Sequence, residues 1–126
     1  MSGATYDTGP LLAAERDDRR RWALHRRVLE RGELPTVPAG VLGQAWRGGP
    51  QPRLSALLTS CRTEDLDELH ARQAGGLLAR AGQDDVIEAS VVIGALSRAD
   101  AVFTSDRTDL ERLGLAAGVR LQIMDV

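Results

Sequence analysis

Short apolar segments alternate with longer amphipathic segments along the chain, and this alternation constrains the fold more than any other feature of the sequence. The apolar segments predict strands at residues 4–6, 34–37, 61–66, 101–104 and 119–124. The spacing of apolar side chains predicts helices at residues 17–31, 53–58, 67–81, 84–98 and 106–113, and two more that begin near Pro10 and Pro38. This order of elements is typical of a parallel sheet covered by helices on both faces, a three-layer α/β/α sandwich.

The length and the distribution of apolar residues refine this prediction. A chain of 126 residues favours a single domain over residues 1–126. The segment at residues 84–98 is apolar around most of its circumference, so we expect that helix to be largely buried. We also expect Leu11, Leu12 and Ala13 to point inward, and the Gly75-Gly76 pair to interrupt or bend the helix at residues 67–81.

The basic residues exclude two classes of phosphate chemistry. All 16 of them are arginine, and the sequence contains no lysine. A P-loop and a phosphorylatable receiver domain each depend on a lysine, so neither class fits this chain. The net charge of −2 gives no overall attraction to nucleic acid or to anionic membranes. We expect the arginine runs at residues 19–21 and 26–27 to form a solvated helix face, because Glu15, Asp17, Asp18 and Glu30 surround them.

Cysteine and aromatic content limit the compartment and the ligand chemistry. The one cysteine, Cys61, allows no internal disulfide and is predicted to be a buried small side chain in a reducing compartment. No apolar run approaches the ~20 residues that span a bilayer, and no signal pattern is visible, so we predict a cytoplasmic protein without a membrane partner. Four aromatic residues are few for a protein that stacks single-stranded bases.

Acidic residues follow or precede the predicted elements at places that a parallel sheet brings together. Asp7 ends the first strand, and Asp106 follows the strand at residues 101–104. Asp85 and Glu88 open the helix that precedes that later strand, and residues three apart share a helix face. Ligand crevices of open α/β sheets lie outside the carboxyl ends of the strands. If the two strands are neighbours, these carboxylates converge at one edge of the sheet.

Carboxylates packed together repel one another and resist ionisation unless a cation neutralises them. Oxygen ligands favour a hard ion such as Mg²⁺ or Mn²⁺, which can activate water and stabilise the charge that develops on a phosphodiester. His25 and His70 lie in polar helices without a ligand spacing, so the pattern does not indicate a zinc site. The sequence thus favours a metal-dependent nuclease site.

Each acid also has a purely structural interpretation. Asp85 and Glu88 have the spacing of an N-terminal capping pair, and carboxylates are favoured there by the helix dipole. Ser105 or Asp106 has the position of a cap for the following helix, and Asp7 that of the first residue of a turn. Taken one at a time, capping is the commoner role of such residues. Three separate segments that place acids at one edge favour ligation.

Four segments in the same order resemble the motifs of PIN-domain ribonucleases, a family that includes the toxins of VapC-type toxin–antitoxin pairs. They are residues 6–12 (YDTGPLL), 37–49 (VPAGVLGQAWRGG), 85–89 (DVIEA) and 102–106 (VFTSD), which together span most of the chain. The resemblance implies a PIN-like fold and a metal site with Asp7 as the first acid and Asp106 as the last. Glu88 fits the spacing of the third acid better than Asp85, which then has a supporting or water-mediated role.

The chain departs from this family at two of the implied ligands. Glu88 stands where the family usually has aspartate, and Gln44 stands where the second acid, commonly glutamate, is expected. Thr8 and Ser105 are implied to orient waters or ligands. Arg47 and Arg53, which flank the Gly-Gly-Pro break, are candidates for binding phosphate, and the commoner alternative for a single arginine is a solvated surface position.

The resemblance implies an endoribonuclease in which Asp7, Glu88 and Asp106 hold Mg²⁺ or Mn²⁺ for attack on RNA. It further implies a protein antitoxin that blocks the site and a homodimer. The alternative is a non-catalytic PIN-like module that binds RNA or a protein, because Gln44 leaves the site one carboxylate short.

Overall fold

The computed structural model describes residues 3–126, and the five strands found there form one parallel sheet. They are β1 (Ala4–Tyr6), β2 (Thr36–Pro38), β3 (Arg62–Glu64), β4 (Ala101–Thr104) and β5 (Ile123–Asp125), in the spatial order β3-β2-β1-β4-β5. Neighbouring strands all pair in parallel, and Thr5 lies opposite both Thr36 and Val102. The first strand of the chain is therefore the central one, with β2 and β4 on its two sides.

Helices cover both faces of this sheet. The helices of residues 3–126 are α1 (Thr8–Glu15), α2 (Arg19–Glu30), α3 (Ala39–Ala45), α4 (Pro52–Leu58), α5 (Glu68–Ala81), α6 (Val86–Arg98) and α7 (Thr108–Ala116). α1 packs against α2 and α4, whereas α5, α6 and α7 pack against one another. The predicted three-layer α/β/α sandwich is confirmed. None of these helices is both long and apolar enough to cross a membrane.

Two details of the sequence prediction are wrong. α5 continues through Gly75 and Gly76 without interruption, because buried Ala74 and Leu77 hold the helix in place while both glycines face solvent. Leu12 does not point inward and is 40% exposed, whereas its neighbours Leu11 and Ala13 are buried. The inner face of α1 is thus narrower than the apolar run suggested.

α6 connects the core to the edge of the sheet at which Asp7 and Asp106 lie, called the acidic edge below. As predicted, it is largely buried, with Ala89, Val91, Val92 and Ala95 fully covered. Asp85 and Glu88 lie at the N-terminal end of this helix, so the packing of α6 in the core fixes the positions of both acids relative to the sheet. Gly40 of α3 lies close to it, because a Cβ there would approach Ile87 Cγ1 to 3.0 Å. The first turns of α3 and α6 are therefore in contact.

Polar groups inside the protein are largely paired with one another. Arg98 donates to Glu64, to Asp100 (Nε to Oδ2, 2.9 Å) and to Thr5 Oγ1 (3.0 Å), and it ties α6 to β1 and β3. His25 is buried between Tyr6 Oη (2.8 Å) and Ser60 Oγ (2.7 Å). Both sets of contacts join segments that are distant in the sequence, which indicates a structural role.

The remaining histidine and the cysteine are also held inside the fold. His70 is buried, with Nε2 at 3.0 Å from the Ser90 carbonyl oxygen. Cys61 is half-buried, and burial raises the pKa of its thiol to about 12. A thiol with that pKa stays protonated near neutrality, which agrees with the predicted role of Cys61 as a small packed side chain.

Candidate metal centre

Asp7 and Asp106 follow two strands that are neighbours in the sheet, as the acidic-edge hypothesis required. β1 pairs with β4, with Tyr6 opposite Phe103, and the backbone N–H of Asp7 donates to the Phe103 carbonyl at 3.0 Å. Asp7 is the residue before α1, yet its side chain makes no capping hydrogen bond. Its carboxylate therefore does not serve as a cap for α1.

Thr104 is the residue that holds both acids in place, and the sequence analysis did not identify it. Its side chain is fully buried, and its hydroxyl donates to Asp7 Oδ2 at 2.9 Å. The same oxygen accepts the backbone N–H of Asp106 at 3.0 Å. A Thr-x-Asp sequence at the end of a strand is the available signal, because a threonine hydroxyl can bond the N–H two residues further on.

Ser105 and Thr8 lie next to this pair, and their implied role in orienting waters or ligands stays a prediction. Ser105 is exposed and packs against the first turn of α1, where a Cβ on Gly9 would come within 2.0 Å of Ser105 Oγ. Only glycine fits at that position. The Thr8 hydroxyl donates to Gln44 Oε1, so the amide oxygen of Gln44 is already accepting a hydrogen bond.

Asp85 and Glu88 separate into a capping residue and a free carboxylate. Asp85 Oδ1 accepts the N–H groups of Ile87 (3.0 Å) and Glu88 (3.1 Å), so Asp85 is the N-cap of α6. No hydrogen bond or ion pair engages the Glu88 carboxylate within residues 3–126. The alternative interpretation as a cap is thus correct for Asp85. It is wrong for Ser105 and Asp106, because Arg107 precedes α7 and makes no side-chain cap.

The electrostatics show that the acids act on one another. The pKa of Glu88 is raised to about 7, mainly by burial and then by Asp85, Asp109, Asp7 and Asp106 in that order. Asp109, in the first turn of α7, is an acid that the sequence analysis overlooked. A proton is therefore retained more easily on Glu88 than on an isolated carboxylate.

The pKa of Asp7 is raised as well. Burial is the largest cause, and the charges of Asp106 and Asp85 add to it. The Thr8 backbone N–H and the Thr104 hydroxyl act in the opposite direction. Raised pKa values in neighbouring carboxylates are a feature of functional sites, although structural clusters show them too.

The donors at this edge suit a hard divalent ion. The acids at this edge offer carboxylate oxygens, the ligand type that Mg²⁺ and Mn²⁺ prefer, and no arginine within residues 3–126 forms an ion pair with Asp7, Asp85, Glu88 or Asp106. In the same residues, however, no three His, Cys, Asp or Glu side chains are already grouped as a metal-binding cluster. The predicted ligand set therefore stays a prediction.

The two arginines predicted to bind phosphate are engaged elsewhere. The guanidinium of Arg53 pairs with Asp17 (3.6 Å) near the carboxyl end of α1, whereas Asp7 precedes the amino end of that helix. A helix of this length separates its two ends by about 12 Å. Arg47 is exposed and donates to the carbonyl oxygens of Gly43 and Trp46. The structure does not bring Arg53 to the acidic edge.

Solved structures resemble this chain over nearly its full length. A search for matching family models and for similar curated proteins found none. The structure of VapBC2 from Rickettsia felis, bound to a DNA fragment from its promoter, matches with a TM-score of 0.72. The two chains are 13% identical, and the match covers 97% of this chain and 98% of the other.

A toxin–antitoxin complex from Klebsiella pneumoniae matches with a TM-score of 0.67 and 14% identity, covering 85% of this chain and 89% of the other. At such low identity the likeness concerns the fold. The fold expected from the resemblance to VapC-type toxins is thereby confirmed: this chain has the fold of a protein found in these toxin–antitoxin complexes.

Proposed function

We propose that this protein is a metal-dependent endoribonuclease that hydrolyses RNA phosphodiester bonds, with Asp7, Glu88 and Asp106 as its metal ligands. The observation that carries the proposal is the set of mutually repelling carboxylates at the carboxyl edge of β1 and β4, with which no basic side chain of residues 3–126 forms an ion pair. A fold keeps such an arrangement at a cost in stability, and a bound divalent cation removes that cost.

The chain's own residues divide the work at this edge. Thr104 fixes the Asp7 carboxylate and the backbone of Asp106, and the buried helix α6 carries Glu88 toward them. Asp85 supports Glu88 by capping the helix on which it stands. When bound, Mg²⁺ or Mn²⁺ would supply a Lewis acid that activates water and stabilises charge on the phosphate.

The toxin half of a toxin–antitoxin pair is the biological role that we propose. The similarity in fold to chains of two toxin–antitoxin complexes supports this role. In this proposal a protein antitoxin covers the acidic edge, and the chain acts as a homodimer.

A cleavage assay tests the enzyme. Structured RNA is incubated with the native chain and Mg²⁺ or Mn²⁺, in parallel with Asp7→Asn and with Asp65→Asn, an exposed acid of the loop before α5. We expect Asp7→Asn to lower the rate by about 100-fold or more, by analogy with the loss of one charge-stabilising group, and Asp65→Asn to cleave normally. Equal rates for the native chain and Asp7→Asn would sink the proposal.

A second candidate function rests on the Thr8–Gln44 contact. Gln44 brings no charge, and its amide oxygen already accepts from Thr8, which favours a non-catalytic RNA- or protein-binding module over an enzyme. Thermal unfolding with added Mn²⁺ and the cleavage assay separate the two functions. Binding to the folded state alone raises the midpoint. A raised midpoint without cleavage favours the module, and an unchanged midpoint at millimolar Mn²⁺ contradicts the metal site in both.

A further inference from the structure

Four arginines form a stripe along one side of α2. Arg19, Arg20, Arg26 and Arg27 recur at the spacing of one helix face, and all four are exposed. The opposite face carries buried His25 and Val28, which fix the helix on the protein. α2 has 12 residues and is therefore about 18 Å long. This arginine stripe is consequently a rigid row of cations rather than a mobile tail.

Three acids near the stripe in sequence have partners other than its guanidinium groups. Asp18 caps α2 through the backbone N–H groups of Arg20 and Arg21. Glu15 accepts the backbone N–H groups of Arg53 and Leu54, at 3.1 and 3.0 Å. Asp17 pairs with the Arg53 guanidinium. The predicted solvated helix face is confirmed.

The stripe gives α2 a positively charged surface, although the net charge of the chain is negative. None of its four guanidinium groups forms an ion pair within residues 3–126. Residues 16–31 contain seven arginines and three acids, a net charge of +4, so the remaining residues of the chain sum to −6. A local field of this kind attracts an anionic partner even though the whole chain is negative.

A groove lies between the first turn of α2 and the carboxyl ends of β4 and β5. Its volume is about 320 Å³, and it is lined by Asp18, Arg20, Arg21, Leu24, Ser105, Asp125 and Val126. The Asp125 carboxylate pairs with Arg107 at 2.8 Å, and the Asp18 side chain accepts backbone N–H groups of α2. Arg20 belongs to the stripe, and Ser105 directly precedes Asp106 in the chain. One end of the stripe therefore lies across this groove from the residue next to a proposed metal ligand.

We propose that the arginine stripe of α2 binds the phosphate backbone of the RNA and leads it through this groove to the acidic edge. This inference rests on the proposed function, because the acidic edge is where the bound strand would be cut. Arginine suits the task, since its planar fork binds phosphate oxygens and stays charged at every relevant pH. The stripe holds phosphates that do not react, and the acids with their cation act on the one that does.

Binding without cleavage tests the stripe independently of catalysis. A short fluorescein-labelled RNA of mixed sequence is titrated in EDTA with the native chain, with R19Q/R20Q/R26Q/R27Q and with the control R72Q/R80Q/R112Q/R120Q. Both variants lose the same charge, but the control removes exposed arginines on α5, on α7 and in the segment after it. Glutamine has a high helix propensity, so both variants retain the helices.

We expect the stripe variant to bind RNA at least about tenfold more weakly than the control and its salt dependence to fall by about 3 in slope for four lost phosphate contacts. Equal losses in the two variants, or no RNA binding by the native chain, overturn the proposal. So does a stripe variant that loses affinity for DNA of the same sequence but keeps its affinity for RNA. If the native urea midpoint is not retained, R26Q/R27Q replaces the quadruple variant with the same criteria.

The cleavage assay separates this proposal from the proposed function. With Mn²⁺ present, we expect the stripe variant to show a raised KM and an unchanged kcat, since the acidic edge is intact. If the native chain binds RNA through the stripe but does not cut it, the nuclease proposal fails and the stripe stands. If it cuts RNA and the stripe variant keeps the native KM, the stripe fails and the nuclease stands.

Discussion

The carboxylates of this protein form two groups, which differ in how their charge is compensated. Glu64 and Asp100 share the guanidinium of Arg98, which also bonds Thr5, so both carboxylates have a basic partner inside the fold. At the carboxyl edge of β1 and β4, in contrast, Asp7 and Glu88 have no basic partner among the described residues. The first group has its cation within the fold, whereas we propose that the second binds a cation from solution.

The two groups differ in the sign of the charges around them. Asp100 is 8% exposed, and its carboxylate lies 2.9 Å from the Arg98 guanidinium. Glu88 is half-buried, and its pKa rises to about 7 mainly because of burial and then because the neighbouring acids add charge of its own sign. Burial combined with like charge distinguishes the candidate site from the Arg98 group.

The largest effect is expected when the compensated group loses its cation. Arg98→Met leaves Glu64 and Asp100 without their partner, and we expect the free energy of unfolding to fall by about 3–5 kcal/mol, as for other broken buried pairs. Urea denaturation measures the change. Arg72→Met breaks an exposed pair with Glu68 and should cost less than about 1 kcal/mol. Similar losses in both variants would contradict the contrast between the two groups.

A smaller effect is expected when the uncompensated group gains a charge. Gln44→Glu adds one carboxylate to the three proposed metal ligands. We therefore expect the metal-free protein to become less stable and Mn²⁺ to bind more tightly. A tenfold gain in affinity adds about 1.4 kcal/mol of stabilisation at fixed free Mn²⁺. Thermal unfolding with and without Mn²⁺ measures the difference. Gln73→Glu, on the exposed side of α5, is the control and should show no gain.

The next effect is a pH dependence of the free energy of unfolding of the metal-free protein. The folded pKa of Glu88 is about 7 against an ordinary value of 4.5, so the folded state binds the proton more tightly than the unfolded state. The resulting stabilisation is full below pH 4.5 and disappears as the pH rises through about 7. Solvent screens this partly exposed group, so we expect a change of about 1 kcal/mol rather than the full value implied by the shift.

Comparison with Glu88→Gln isolates this contribution. The variant cannot ionise, so its unfolding free energy should exceed that of the native chain at pH 8 and approach it at pH 4.5. Glu30→Gln on the exposed face of α2 serves as the matched control and should follow the native profile. Parallel profiles for the native chain and Glu88→Gln would show that the acidic edge places no strain on Glu88.

The same contrast explains what the sequence could predict. β1 and β4 were predicted at the residues where they occur, because each is a short segment of apolar and threonine side chains that stops before Asp7 or Ser105. β5 was predicted to begin at Val119, but it spans only Ile123–Asp125. The apolar residues before it pack on α7 instead, since a Cβ on Gly114 would lie 2.9 Å from Leu121 Cβ. An apolar run alone does not reveal which neighbour covers it.

The site shows a corresponding limit. Asp7 and Asp106 were identified because the strand ends place them, which requires only the order of elements. Thr104 was missed because only the three-dimensional pairing shows that it is buried while Ser105 faces solvent. Arg98 was missed for a similar reason, since its partners Glu64 and Thr5 are distant in the sequence. Contacts between distant segments decide which charged side chains have a partner of opposite charge.

The smallest effect is expected at Asp85, where the two groups are hardest to tell apart. Asp85 has a carboxylate at the acidic edge, but its Oδ1 is occupied by the N–H groups of Ile87 and Glu88. Serine retains the cap without the charge, so Asp85→Ser should change the free energy of unfolding by less than about 0.5 kcal/mol, whereas Asp85→Ala costs about 1 kcal/mol.

Mn²⁺ then distinguishes a cap from a ligand. If Asp85 serves the helix, Asp85→Ser retains the Mn²⁺-induced rise in the unfolding midpoint, while Asp7→Asn loses it. If Asp85→Ser loses this Mn²⁺-induced rise as fully as Asp7→Asn does, Asp85 rather than Glu88 is the third metal ligand. The cap engages Asp85 Oδ1 alone and leaves Oδ2 available, so the Mn²⁺ comparison, rather than the cap, decides between Asp85 and Glu88.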